Sequence, residues 1–254
     1  MTGTRRAGEF CWINMLTPQP AEARGFFAKL LGWTFVEMPG MGHRARVGGR
    51  EIGALFDLEA PSTPQGTTPH IGGLVKVDSA DALCEKVISL GGKAMPAFDI
   101  GDQGRLAACT DPNGARFVVW ELKEFLGTDA DSSHHGAPSW FVTMTTNVDR
   151  AAKFYSGLFG WTPEVMATPG LEYTTFMRGT ECVAGIMQIT PLMQPMQPHW
   201  ATFFTVRDAD ETAREAVKLG AKVCAPVQEI PGRGRFCGIT SPLGVPFYVI
   251  KYDH

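Results

Sequence analysis

The stretch Phe26–Trp33, FFAKLLGW, occurs twice: it returns as Phe154–Trp161, FYSGLFGW, a step of 128 residues. Each copy reads as the last turns of an amphipathic helix. Apolar residues recur at helical spacing, Phe26, Phe27, Leu30 and Leu31 in one copy, Phe154, Tyr155, Leu158 and Phe159 in the other. A glycine follows each (Gly32, Gly160), where a helix end needs a left-handed residue, and a Trp then opens the next segment. A helix end copied this closely indicates a duplicated domain.

Outward from the helix, the copying continues. Pro69-His70 returns as Pro198-His199, and residues 72–93 return as 201–222. DIGDQGR (99–105) returns as EIPGRGR (229–235), and TDPNGARFVVWEL (110–122) as TSPLGVPFYVIKY (240–252). Residues 1–126 and 139–254 are therefore expected to form two domains. The segment between them, 127–138, is small and polar without apolar periodicity and reads as a linker. With 254 residues, 44% of them hydrophobic, the chain has enough apolar surface for a core in each.

The net charge of −3 offers no basic field for nucleic acid or an anionic membrane surface. No apolar run approaches the roughly 20 residues needed to span a bilayer. The opening MTGTRRAGEF lacks the apolar stretch of a signal peptide, so a soluble cytoplasmic protein is expected. The six cysteines (11, 84, 109, 182, 224, 237) form no CxxC pair and read as reduced core thiols.

Within each half one order of elements comes twice. Phe10–Leu16 reads as a strand and Ala21–Leu31 as a helix, followed by strands at Thr34–Met38, Arg44–Val47 and Glu51–Leu58. Ile71–Val77, the helix Ser79–Leu90, and strands at Lys93–Pro96, Arg105–Thr110 and Ala115–Leu122 repeat the order. The C-terminal half runs the same way. Its last helix opens on Asp208 with Glu211 three residues on, similar to a capping box. Four β-α-β-β-β units result, and two such units side by side enclose a cup suited to a small molecule.

The order βαβββ, the helix end FF-x-KLLGW, the last strand DP-x-G-x-x-F-x-V-W-E and the loop IGDQGR together resemble the vicinal oxygen chelate (VOC) superfamily. That superfamily includes glyoxalase I, extradiol dioxygenases and bleomycin- or fosfomycin-resistance proteins. The segment MPAFDIGDQGR is similar to that of two-domain glyoxalase-like members. The resemblance implies an α+β fold of two tandem VOC domains, each a pair of βαβββ modules forming a curved-sheet cup. It also implies a divalent metal held by His, Gln or Glu on the first and last strands of each unit. Matched residue by residue, those positions are Trp12, about Ala54, Gly72 and Val118 in one half, and Trp140, about Ile186, Ala201 and Tyr248 in the other. A metal needs three or four converging imidazole or carboxylate ligands. None stands there, so no metal at the usual site and no cofactor is expected. A displaced divalent metal would need His70 or His199 with a carboxylate at the right phase, and Glu121, three residues past Val118, points to the opposite face.

The candidate ligand-binding residues are Trp12, Asn14, His70 and Arg105 in the first cup, and Trp140, His199, Arg235 and Tyr248 in the second. Trp12 and Trp140 either stack on a flat ligand or fill the cup themselves, and the Tyr248 hydroxyl serves either reading. Arg105 and Arg235 either bind an anionic or carbonyl group at a cup mouth or pair with a local acid such as Asp99 or Glu229. The expected function is small-molecule binding without the usual metal, and no catalytic residue is assigned. The alternative is a glyoxalase-like lyase or isomerase, or a dioxygenase, using a displaced metal. Duplication within one chain substitutes for pairing of single domains, so a monomer or homodimer is expected.

Overall fold

The computed structural model describes residues 5–61, 63–168, 171–193 and 195–253. The N-terminal half runs β1 (Phe10–Thr17), α1 (Pro20–Leu31), β2 (Thr34–Met38), β3 (Gly42–Val47), β4 (Arg50–Asp57), β5 (His70–Val77), α2 (Ala80–Ser89), β6 (Lys93–Ala94), β7 (Phe98–Ile100), β8 (Gly104–Thr110) and β9 (Arg116–Leu122). The C-terminal half runs β10 (Pro138–Thr145), α3 (Val148–Phe159), β11 (Thr162–Thr168), β12 (Leu171–Arg178), β13 (Glu181–Gln188), β14 (His199–Thr205), α4 (Ala209–Lys218), β15 (Lys222–Ile230), β16 (Gly234–Thr240) and β17 (Pro246–Tyr252).

Each half forms one sheet, in the order β2-β3-β4-β1-β5-β9-β8-β6 and β11-β12-β13-β10-β14-β17-β16-β15. The two units of a half meet through an antiparallel pair, β1 with β5 and β10 with β14. Each unit closes on its own first strand through a parallel pair, such as β1 with β4. The sheets curl into half-barrels, giving the α+β fold of paired βαβββ modules that the resemblance implies. Gly32 and Gly160 end α1 and α3 in the left-handed conformation, at φ 68° and 74°. Asp208 caps α4 by accepting from the Glu211 N–H at 2.8 Å.

The helix faces of the two sheets look at each other. Helix α1 packs on α4, and α2 on α3. The largest apolar cluster therefore runs through both halves, where the composition suggested one core for each. Phe10 stacks on Phe141 with centroids 3.8 Å apart, Phe27 meets Phe247 at 5.2 Å, and Phe117 meets Tyr155 at 5.8 Å. The copied Trp of each helix end ties one half to the other. Trp33 Nε1 donates to the Gly136 carbonyl at 2.8 Å and Trp161 Nε1 to the Gly8 carbonyl at 3.2 Å. Gly136 has φ 86°, and a Cβ there would sit 2.1 Å from the Leu31 carbonyl oxygen, so only glycine fits.

Several local expectations differ in the structure. DIGDQGR is not all loop: Phe98–Ile100 pairs with β8 as one arm of a hairpin. Segment 127–138 docks on the body, with Ala137 fully buried and Thr205 Oγ1 donating to the Ser132 carbonyl at 2.6 Å. Glu121 does face away from the cup, and its carboxylate accepts from the Ala80 N–H at the start of α2, 2.9 Å away. Cys11, Cys109 and Cys237 are buried free thiols, whereas Cys182 and Cys224 are exposed on strands β13 and β15.

Candidate functional site

Small separate clusters occupy the cup faces opposite the helices, one per half. Trp12 and Trp140 hold equivalent places in them, each near the start of its central strand, across from Leu74 and Phe203 respectively. The two cups then diverge.

The N-terminal cup is filled by its own side chains. Trp12 and Trp120 are 6% and 5% exposed. Phe125 stands edge-on to both, at 4.6 Å and 6.1 Å between centroids, with the Arg44 guanidinium over its ring at 5.2 Å. Gly104 makes room for Trp120, whose ring a Cβ there would meet at 2.4 Å. Asn14 lies half-buried two residues along from Trp12 on the same face.

In the C-terminal cup, Ile250 stands where Trp120 stands in the first, and a cavity of 180 Å³ remains. Its aromatic walls are Trp140, Tyr173, Phe203, Phe236 and Tyr252. Val142, Met166, Met187, Ile230 and Ile250 complete an apolar lining. The polar groups are few. Trp140 Nε1 donates to the Tyr173 hydroxyl at 2.6 Å, and the Tyr252 hydroxyl donates to Ser139 Oγ at 3.1 Å. Thr175 also lines the cavity, and its buried Oγ1 has no partner among the described residues. Burial raises the pKa of Tyr173 and Tyr252, so both phenols are neutral near pH 7. Arg233 stands at the edge of the cavity, exposed.

The structure places the eight candidate residues unevenly. Trp140 lines the cavity. Tyr248 stacks behind its wall on Phe203 at 4.7 Å, and burial pushes its phenol up to about 12. Trp12 and Asn14 belong to the filled cup. His70 and His199 begin β5 and β14, on the cup face but at the far strand end; His199 pairs across from Met144 and does not line the cavity. Each ring is held alike: Nδ1 lies 2.8 Å from a carbonyl two residues back, Thr68 or Gln197. A carbonyl only accepts, so Nδ1 carries the proton and Nε2 is left as an acceptor. Burial lowers both pKa values, keeping the rings neutral.

Arg105 and Arg235 are corrections, because neither reaches a cup. Each precedes a cup residue (Leu106, Phe236) by one position, so strand alternation turns it to the helix face. There Arg105 grips Asp81 of α2 through two bonds of 2.9 and 3.0 Å, and Arg235 grips Asp210 of α4 at 3.0 and 3.1 Å. Asp99 and Glu229 add longer contacts of 3.5 and 3.8 Å. The residues that sequence reasoning passed over are Tyr173, Thr175, Arg233 and Tyr252. Arg233 sits inside the quoted loop EIPGRGR and signalled itself only by its type.

The family model of the Glyoxalase/Bleomycin resistance protein/Dioxygenase superfamily matches residues 10–119 and again 138–248. The chain belongs to that superfamily. A candidate glyoxylase, CFP32, of Mycobacterium tuberculosis is 33% identical over 97% of this chain and 95% of its own length. The anthracycline biosynthesis protein DnrV of Streptomyces peucetius is 29% identical over 96% of this chain and 93% of its own. Among solved structures, the Mn(II)-bound glyoxalase from Novosphingobium aromaticivorans shares the fold with a TM-score of 0.65 at 14% identity, over 97% of this chain and 82% of that one. The 2,2',3-trihydroxybiphenyl 1,2-dioxygenase of Sphingomonas wittichii does so at 0.67 and 11% identity, over 97% and 91%.

The donor set here does not fit a metal of the kind that glyoxalase binds. The positions to which the resemblance assigns the family's ligands are Trp12, about Ala54, Gly72, Val118, Trp140, about Ile186, Ala201 and Tyr248, none of them His, Asp or Glu. Among the described residues no three His, Cys, Asp or Glu side chains are grouped to hold an ion. No helix of the described residues is long and apolar enough to cross a membrane.

Proposed function

We propose that this protein binds a small, flat, largely apolar molecule in the cup of its C-terminal half, without a metal at the family's usual positions. The observation that carries this reading is the contrast between two copies of one cup. One is plugged by Trp12, Trp120 and Phe125, while the other keeps 180 Å³ between aromatic walls. An apolar cavity of about 150 Å³ accommodates a benzene ring, so this one holds a ring or little more, with the remainder of a larger ligand at the open side. The relatives named for anthracycline biosynthesis support a planar aromatic occupant, since anthracyclines are fused aromatic ring systems.

Calorimetric titration with 2-naphthamide, a neutral planar probe, tests the reading. One site per chain is expected, and Ile250→Trp, which copies the filling of the first cup, should abolish it. Probe binding that survives Ile250→Trp would place the ligand elsewhere. Uptake of about one Mn²⁺ per half with the onset of lyase or dioxygenase turnover would instead establish the metal-dependent alternative.

A further inference from the structure

Among the described residues that line the cavity, Arg233 is the one charged group. Arg233 lies in the turn between β15 and β16, whose geometry is fixed by its own backbone: its N–H donates to the Ile230 carbonyl at 2.9 Å, and its carbonyl accepts from the Asp253 N–H at 3.0 Å. The side chain reaches over the cavity edge, with Nη2 3.5 Å from Met166 Sδ. Arg233 lines the same cavity as Tyr173 and Tyr252. Two carboxylates near the turn pair elsewhere: Glu229, on β15, lies 3.8 Å from Arg235, and Asp253, just after β17, is 3.5 Å from Lys251. Among the described residues no carboxylate lies within ion-pair distance of Arg233, whereas Arg235, two positions on, is held by Asp210.

The other half supplies an internal control. In the matched loops DIGDQGR and EIPGRGR, the residue equivalent to Arg233 is Gln103. The cation therefore accompanies the open cup and a neutral amide accompanies the filled one. A guanidinium kept only to satisfy its loop would have no reason to follow the cavity. Deeper in, Thr175 lines the cavity at 3% exposure, and its buried Oγ1 has no partner among the described residues.

We propose that the occupant of the C-terminal cup is an aromatic anion: its ring enters between Trp140, Phe203 and Tyr252, and a carboxylate or ionised hydroxyl on that ring is held at the mouth by Arg233. This rests on the cup being the ligand site. The guanidinium offers paired donors to an anionic oxygen. The apolar lining rejects charge at depth, so the charged end must remain at the mouth. Because the site is open, the ion pair is partly screened and fades as salt rises.

Calorimetric titration of the full chain with 2-naphthoate and its neutral isostere 2-naphthamide tests this. Naphthoate should bind about tenfold tighter, a difference of about 1.4 kcal/mol. Arg233→Gln, which installs the residue of the first half, should remove that advantage and the salt dependence while leaving naphthamide unchanged. Arg233→Lys should recover part of it. Equal binding of the two probes, or an advantage that persists in Arg233→Gln, overturns the anion assignment while the cup remains the binding site. Failure of both probes to bind, or binding of either that survives Ile250→Trp, overturns the cup reading itself.

Discussion

Arg235 donates from Nε and Nη2 to the two oxygens of Asp210, while Arg233, two residues earlier, forms no ion pair among the described residues. The sequence showed both as arginines among glycines, and residue type alone did not separate them. What separates them is strand phase, set by where β16 begins, together with an acid in the first turn of α4 that lies 25 residues away. Arg235→Ala should therefore leave probe binding unchanged and cost about 1 kcal/mol or less, as half-exposed ion pairs do. A tenfold loss of naphthoate affinity in that variant would return Arg235 to the cup. The two histidines make a pH prediction. Both have pKa values lowered below 6.5 by burial, so the unfolded chain takes up protons on acidification before the folded one does. Their contribution to stability is complete above pH 6.5 and is lost as pH falls through their lowered values. Urea midpoints measured at pH 7.5 and 5.5 should fall on acidification, and fall less in His70→Gln/His199→Gln. An unchanged slope in the double variant would remove these residues as the cause.

At the scale of elements, the repeat was legible because it is written in groups that geometry leaves no freedom to change. Gly32 and Gly160 are left-handed, Asp208 caps α4, and each Trp after the glycine reaches a backbone carbonyl. The hairpin arm Phe98–Ile100 was illegible, since three residues carry no period and two of them are exposed. The state of each cup was illegible for another reason. Trp12 and Trp140 are the same residue at the same place, and whether a cup stays open is decided by partners distant in sequence, Trp120 and Phe125 against Ile250 and Tyr252. That contrast can be inverted. Trp120→Ile with Phe125→Ala should open the first cup, at a cost of about 3–5 kcal/mol for the lost aromatic packing. In titrations with 2-naphthamide the stoichiometry should rise from one to two per chain. A value that stays at one in a folded double variant would show that the first cup collapses on itself when its plug is removed.

At the scale of the molecule, the halves are bound by more than apolar contact. Asp111, in the turn before β9, accepts from the Tyr155 hydroxyl of α3 at 3.0 Å, and that hydroxyl in turn accepts from Trp200 Nε1 at 2.8 Å. The same turn sends Asn113 Nδ2 to Thr145 Oγ1 at 2.9 Å. Tyr155 is fully buried, so Tyr155→Phe strands a carboxylate oxygen and an indole N–H, and should lower stability by about 1–3 kcal/mol, read from the urea midpoint at constant m-value. On the pseudo-symmetric side the place of Tyr155 is taken by Phe27, which meets Phe247 with no polar group involved. Duplicated in sequence, the interface is thus unequal in chemistry, because Tyr155 carries a hydrogen-bonded chain where Phe27 makes an apolar contact. It also hides the helix faces of both sheets. A fragment ending at residue 126 would expose Phe27, Phe117 and the faces of α1 and α2 that pack on the other half. Exposed apolar area of that kind drives association. The fragment should elute as a dimer or aggregate and bind a hydrophobic dye, and the intact chain should unfold in one transition reported identically by fluorescence and circular dichroism. A monomeric fragment with a cooperative transition of its own would show that each sheet is stable without its neighbour, and the shared core would then be an addition to two complete domains.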